Sequence, residues 1–306
     1  MVKKSTPKRN STLRDLAEYY LRSPRFAGLK RSTQYYYQLH MENALATKLS
    51  TGKTLGDVRI QDLRVRHVSD AYEQWLQVGV RTANYRKAVL SAAWSYGLQK
   101  DIMIHNPIAN VDSQGSKPRR VMWQRDHVMA FLNTAYSDWQ WRSVGLIVHM
   151  AYEWAQRIGD MRLLKWENVD LDNHRVDLVQ SKRNADVHLP IGENLAKMLR
   201  VQREDFGFQP YVAPRVKPRA GAYTPYDLDE ISKLINDVKH EANLPSELTA
   251  MDLRRTAITE MVEAGVDLAG VMQVSGHRNP QSVKPYLVNT FSGASAALAK
   301  RNGGKL

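Results

Sequence analysis

No cysteine occurs anywhere in the 306 residues, which removes disulfides, thiolate catalysis and cysteine-ligated zinc at once. Long apolar runs are missing too. The longest, Val144 to Val148 continuing through His149 to Tyr152, falls well short of the roughly 20 residues that a membrane-spanning helix needs. The N-terminal MVKKSTPKRN has no apolar stretch behind it, so no secretory signal is expected, and a cytoplasmic location fits best. There is no H-E-x-x-H and no tight acidic cluster, and Asp170 and Asp172 read as turn residues, so neither a metal nor another cofactor is expected. Repeats and low-complexity tracts are also absent.

Acidic residues are in deficit. Lys and Arg number 44 against 31 Asp and Glu, a net charge of +13, and such an excess self-repels unless an anionic partner uses it. Nucleic acid is the leading candidate. A merely basic, solvated surface is the plainer alternative, and a membrane surface would call for a basic amphipathic anchor that the sequence does not offer.

Hydrophobic residues make up 43% of the chain, enough for a folded protein of about two domains. Thr12 and Asp15 form a helix-start signal, followed at helical spacing by Leu13, Leu16, Ala17, Tyr20 and Leu21. Two further stripes, Val68 to Leu76 and Tyr85 to Tyr96, complete an all-helical first third that ends before Asn106-Pro107. Between Ile108 and Met122 the periodicity lapses into a polar, basic stretch that reads as a linker. Beyond it the pattern predicts helices near Val128 to Ala135 and Val144 to Trp154, then the alternating runs of a small antiparallel sheet. Helices return around Ile231 to Val238, Ile258 to Val262 and Leu268 to Met272. The expected architecture is mainly α with a small antiparallel β-sheet.

The segment MDLRRTAITEMVEAGVDLAGVMQVSGHRNPQSVKPYL places Arg254, His277 and Tyr286 among apolar stripes. Singly they read as a surface charge, a satisfied histidine and a core aromatic. Together they resemble the C-terminal motif of the tyrosine recombinase (phage integrase) family: an arginine, then Gly-His, then a tyrosine nine positions after the histidine. EWAQRIGDMRLLKW resembles the family's first arginine box, with Arg157 as its arginine and Asp160 as the supporting acid. The hairpin lysine of the family corresponds to Lys182, with Arg183 as the alternative. The resemblance covers most of residues 122–291 and implies an α+β catalytic domain behind a helical, SAM-like core-binding domain. The implied division is a basic tail (1–10), the core-binding domain (11–110), a linker (111–122) and the catalytic domain with its C-terminal tail (123–306).

The resemblance implies strand cleavage and rejoining through a 3′-phosphotyrosine, without metal or ATP. Two guanidiniums, Arg157 and Arg254, suit the charge that gathers on a phosphodiester's non-bridging oxygens. Tyr286 would be the nucleophile, Lys182 the proton donor to the leaving oxygen and His277 a phosphate ligand sharing in proton handling. The family's first histidine, three residues before the second arginine, is replaced here by Met251, which cannot accept a proton. The base is then unnecessary, replaced by water or supplied by His277. Pro285 places Tyr286 at the start of a helical turn or on a bend.

LKRSTQYYYQL resembles a DNA-contacting helix start in the same family, giving Lys30, Arg31, Thr33 and Tyr36 as candidates. RTANYRKAV adds Arg81, Asn84, Arg86 and Lys87, and the linker adds Lys117, Arg119 and Arg120 to a clamp that closes around double-stranded DNA. Solvated helix faces are the alternative for each. No extra N-terminal arm-site domain is expected, since the first capped helix begins near Thr12. The resemblance further implies a homotetramer on two specific DNA sites, with Ala294, Ala297 and Leu298 docking on the neighbouring protomer, and DNA-bending accessory proteins. A phage or mobile-element integrase acting at the nucleoid is the leading reading. A type IB topoisomerase and a catalytically silent DNA-binding relative are the rivals.

Overall fold

The computed structural model describes residues 6–8, 10–116, 119–182, 184–286 and 291–303, with backbone alone at 291–293, 296 and 300. Lys3, Lys4, Arg9, Lys117 and Arg183 lie outside the described residues. The chain divides into two compact units, residues 1–119 and 120–306.

The first unit is helical: α1 (Leu13–Leu21), α2 (Pro24–Ala27), α3 (Arg31–Leu45), α4 (Val65–Leu76) and α5 (Val80–Leu98). Helix α1 starts where its sequence signal predicts. Thr12 Oγ1 accepts from the Asp15 amide at 3.2 Å while Asp15 Oδ2 accepts from the Thr12 amide at 2.9 Å, a reciprocal cap contributing ~1 kcal/mol. Helix α5 is central, packing on α1, α3 and α4 around Leu13, Leu16, Trp75, Leu90 and Trp94.

The stretch that reads as a linker begins inside this unit. Ile108 and Val111 are buried in its core. Lys87 Nζ donates to Val111 O and to Ser113 Oγ, Asn84 Nδ2 donates to Gln114 O at 2.8 Å, and the Gln114 amide donates to the Tyr72 hydroxyl at 2.8 Å. Polar composition here reflects a loop tied down by side chains rather than a solvated tether.

The second unit comprises α6 (Arg125–Ser137), α7 (Arg142–Glu153), α8 (Ile158–Met161), the strands β1 (Val169–Asp170), β2 (Arg175–Val179) and β3 (Asp186–Pro190), then α9 (Glu193–Phe206), α10 (Leu228–Glu241), α11 (Ala250–Glu263), α12 (Leu268–Ser275) and α13 (Phe291–Arg301). The strands form one antiparallel sheet in sequential order. Val176 pairs with Leu189 and Leu178 with Val187, so all four apolar side chains fall on the buried face while Arg175 and His188 face water. Asp170 shapes the β1–β2 turn, and hydrogen bonds from Asn173 and Asp172 hold its carboxyl below the usual carboxylate range. Helix α7, with Ser143 to Val148 fully buried, runs through the core. Trp123 joins the chain entering this unit to α11, its amide donating to Thr256 Oγ1 at 2.9 Å and its indole N–H to Thr249 O at 3.0 Å. The architecture is the mainly α arrangement with one small antiparallel sheet that the periodicity predicts.

Candidate active site

Beyond α7 the chain reverses at Ala155 (φ +50°), and Gln156 and Arg157 follow. Arg157 caps α8 and sends Nη1 to within 3.3 Å of Gln180 Oε1 and 3.7 Å of Asp160 Oδ2. Asp160, only 8% exposed, uses its other oxygen to accept from the Ser181 amide (3.0 Å) and hydroxyl (2.5 Å). One carboxylate thus links the arginine's loop to the base of the β2–β3 hairpin that carries Lys182.

Gln180 is the hub of this region. It is fully buried, and its Nε2 donates to Gln156 Oε1 at 2.6 Å and to Ser275 O at 2.8 Å while Oε1 accepts from Arg157. Its backbone closes the hairpin turn, the amide donating to Ala185 O and the carbonyl accepting from the Asn184 amide, both at 2.9 Å.

Helix α11 brings Arg254 to the same place. This side chain is 7% exposed, with Nη1 donating to Ala155 O at 2.9 Å and Nη2 to Ser275 O at 2.7 Å. A buried guanidinium costs heavily unless its donors are matched, and here two backbone carbonyls fix the fork. Arg254 Nη2 also lies 3.3 Å from His277 Nε2, and His277 Nδ1 lies 2.7 Å from Ser275 Oγ.

The glycine before His277 is required twice over. Helix α12 ends at Gly276 in the left-handed region (φ +67°), and a Cβ there would sit 2.5 Å from Gln180 Nε2. A side chain at 276 would force apart the histidine loop and the lysine hairpin.

Tyr286 lies in a 3-10 turn, Lys284–Tyr286, its amide donating to Val283 O at 2.9 Å. Its ring packs on a small cluster of Ala155, Ala257, Ile258, Val271 and Val283, 5.9 Å from the His277 ring, with the Arg255 guanidinium 5.4 Å from its centre. Tyr152, which also packs on that cluster, donates to Glu260 at 2.8 Å; burial and this bond push its hydroxyl far above the usual phenol range. Met251 is 75% exposed at the rim.

Arg157, Lys182, Met251, Arg254, His277 and Tyr286 line one open cleft of about 540 Å3. Five charged or polar side chains from four sequence-distant segments converge on it, with Asp160 behind Arg157. Gln156, Gln180, Ser181, Ser275 and Arg255 escape the sequence reading. Gln180 and Ser181 immediately precede Lys182, and Ser275 stands two before His277, so proximity to the motifs was their only signal. Among the described residues, no group of three or more His, Asp or Glu is placed to hold a metal ion, and no helix is long and apolar enough to cross a membrane.

The candidates in the first unit are less uniform. Lys30, Arg31, Tyr36 and Arg81 are exposed at the starts of α3 and α5, and Thr33 is half-buried. Asn84 and Lys87 are engaged with residues 111–114, as above. Arg86 is half-buried 6.0 Å from the Trp75 ring, and burial lowers both its pKa and that of nearby His40. Arg119 and Arg120 are exposed.

A family model described as the phage integrase family matches residues 123–292, more than half of the chain. The chain belongs to the phage integrase family. As a tyrosine recombinase it is a site-specific DNA recombinase. It is 22% identical over 239 residues to tyrosine recombinase XerC of Bacillus pumilus, covering 75% of this chain and 76% of that one. Among solved structures, a lambda integrase (residues 75–356) dimer bound to a COC′ core site matches with TM-score 0.76 and 18% identity over 92% of this chain and 96% of that one. The Tn1549 transposon integrase in complex with a circular intermediate DNA matches at 0.75 and 16%, over 95% and 99% respectively. A lambda integrase tetramer bound to a Holliday junction matches at 0.74 and 17%, over 94% and 82%. At these identities the structural likeness is one of fold.

Proposed function

We propose that this recombinase cleaves one DNA strand with Tyr286, holds it as a 3′-phosphotyrosine and passes it to a new partner strand without metal or ATP. The observation that carries this reading is the convergence of Arg157, Lys182, Arg254, His277 and Tyr286 on a single cleft. Arg157 and Arg254 bind the non-bridging oxygens of the scissile phosphate, where negative charge gathers as the phenol oxygen attacks. Their forks are held by Gln180, Ala155 O and Ser275 O before DNA arrives, so little reorganisation is needed during the reaction. Lys182, on the hairpin tip, protonates the departing 5′ oxygen. The phosphotyrosine conserves the energy of the broken bond, and the hydroxyl of another strand regains it.

Residues 123–306 act as the catalytic domain and 11–110 as the core-binding domain, gripping specific duplex sites through Lys30, Arg31, Thr33, Tyr36 and Arg81 with a steep salt dependence. The working form is a homotetramer on two synapsed sites. Ala294, Ala297 and Leu298 of α13 are exposed, which suits docking on a neighbour. Integration or excision of a phage or mobile element, aided by DNA-bending proteins, is the biological reading.

A nicked suicide substrate tests the chemistry. The native protein forms a covalent adduct that Tyr286→Phe loses entirely. Met251, standing where the family has a histidine, is what makes a catalytically silent DNA-binding relative the rival, and DNA binding without any adduct would support it. Strand transfer between two defined sites, rather than relaxation alone, separates a recombinase from a type IB topoisomerase.

A further inference from the structure

A proton can be placed beside the cleft from the groups around it. Ser275 Oγ lies 2.5 Å from Val271 O, and because a carbonyl has no hydrogen to give, the serine hydroxyl donates there. With its single proton committed, the same oxygen accepts from His277 Nδ1 at 2.7 Å. Across the ring, Nε2 lies 3.3 Å from Arg254 Nη2, a group that only donates. Both contacts demand the same neutral imidazole, with hydrogen on Nδ1 and a lone pair on Nε2. Ser275 is fully buried and His277 is 6% exposed, so water competes poorly for either nitrogen.

We infer that Ser275 is a positioning residue that fixes His277 as the Nδ1–H tautomer, making Nε2 the acceptor for the Tyr286 hydroxyl proton. The inference rests on Tyr286 being the nucleophile. It assigns to His277 the task that Met251, a thioether three-quarters exposed at the rim, cannot perform. The Tyr286 ring is 5.9 Å from the His277 ring, centre to centre, within the same cleft. Arg254 is a charged group facing the imidazole, and Tyr286 a titratable one.

The step balances. As the Arg254 Nη2–H that faces Nε2 turns to the phosphate and frees the nitrogen's lone pair, the Tyr286 O–H bond breaks and its proton joins Nε2, giving an imidazolium whose Nδ1–H still donates to Ser275 Oγ. The phenolate oxygen bonds to phosphorus as the bond to the 5′ oxygen breaks, and Lys182 supplies that oxygen's proton. The new Nε2–H then donates to the phosphate, and religation returns the proton to the departing phenolate.

Two-bond proton–nitrogen NMR on 15N-histidine-labelled protein reads the tautomer without DNA, with His277→Gln assigning the signal. The expected pattern is a pyrrole-type Nδ1 and a pyridine-type Nε2; the reverse pattern overturns the inference. Ser275→Ala should mix the two tautomers and slow adduct formation about tenfold, the effect of one lost hydrogen bond, while Ser275→Thr restores the pattern. An alanine variant with both tautomer and rate unchanged would defeat the positioning role. His277→Gln keeps a hydrogen-bond donor but cannot carry a proton, and should slow cleavage roughly 100-fold; an unchanged rate removes His277 as acceptor. A Tyr286-dependent adduct from a protein with hydrogen on Nε2 sinks this inference alone, whereas no adduct at all sinks the recombinase reading and the acceptor role with it.

Discussion

In the unit formed by residues 120–306, Arg254 is buried with its guanidinium clamped between Ala155 O and Ser275 O, whereas in residues 1–119 Arg31 and Arg81 stand in water at the starts of helices. The first arrangement costs desolvation and is offset by matched hydrogen bonds. The second costs little and fixes little. On the proposed function, groups that meet the scissile phosphate are held by the fold itself, while groups that only attract the DNA backbone are left to adapt to it.

The sharpest way to break this contrast is Arg254→Ala. It removes the guanidinium that donates to buried Ala155 O and leaves Ser275 O with Gln180 as its side-chain donor, so urea titration should show a loss of about 2–4 kcal/mol, and adduct formation should fall by roughly 10³. Gln180→Ala comes next. Losing the side chain that bridges Arg157, Gln156 and Ser275 should cost about 2 kcal/mol and roughly tenfold in cleavage, with DNA affinity little changed by titration. Gly276→Ala combines a strained φ with a Cβ against Gln180 and should lower stability by ~1–2 kcal/mol together with cleavage. Gly265→Ala, at φ +78° with open space around it, should cost only the strain and spare the chemistry. Smallest in stability is Arg31→Ala, within about 0.5 kcal/mol of the parent. Its effect should appear in the salt dependence of DNA binding, whose slope falls by roughly one. A cleavage defect in Arg31→Ala without weaker binding would erase the division between the units.

Much of the frame was legible in the sequence because apolar periodicity and caps are local. The Thr12–Asp15 cap and the stripes of α4, α5 and α10 each fall within a few turns of chain. Helix α9 was missed although Leu195, Leu199 and Phe206 share a face, because charges at Lys197, Arg200, Arg203, Glu204 and Asp205 blur its stripe. Four-residue α2 is too short to show a period. In the cleft, residue types with distinctive chemistry at fixed spacing, such as His277 and Tyr286, stood out. Gln180 and Ser275 did not, because their importance lies in meeting each other across 95 positions, and no local pattern encodes that. The packed start of the polar stretch is hidden for the same reason: Asn84 and Lys87 reach residues 111–114 by hydrogen bonds that no local pattern encodes.

One carbonyl has a consequence for safety. Ser275 O accepts from both Gln180 and Arg254, and Gln180 in turn holds Arg157. Loosening either the hairpin or the histidine loop therefore weakens the hold on both guanidiniums together, with Ala155 O left as the remaining anchor of Arg254. On the proposed function, a molecule loosened there loses both phosphate-binding groups at once and falls inert instead of cutting without resealing.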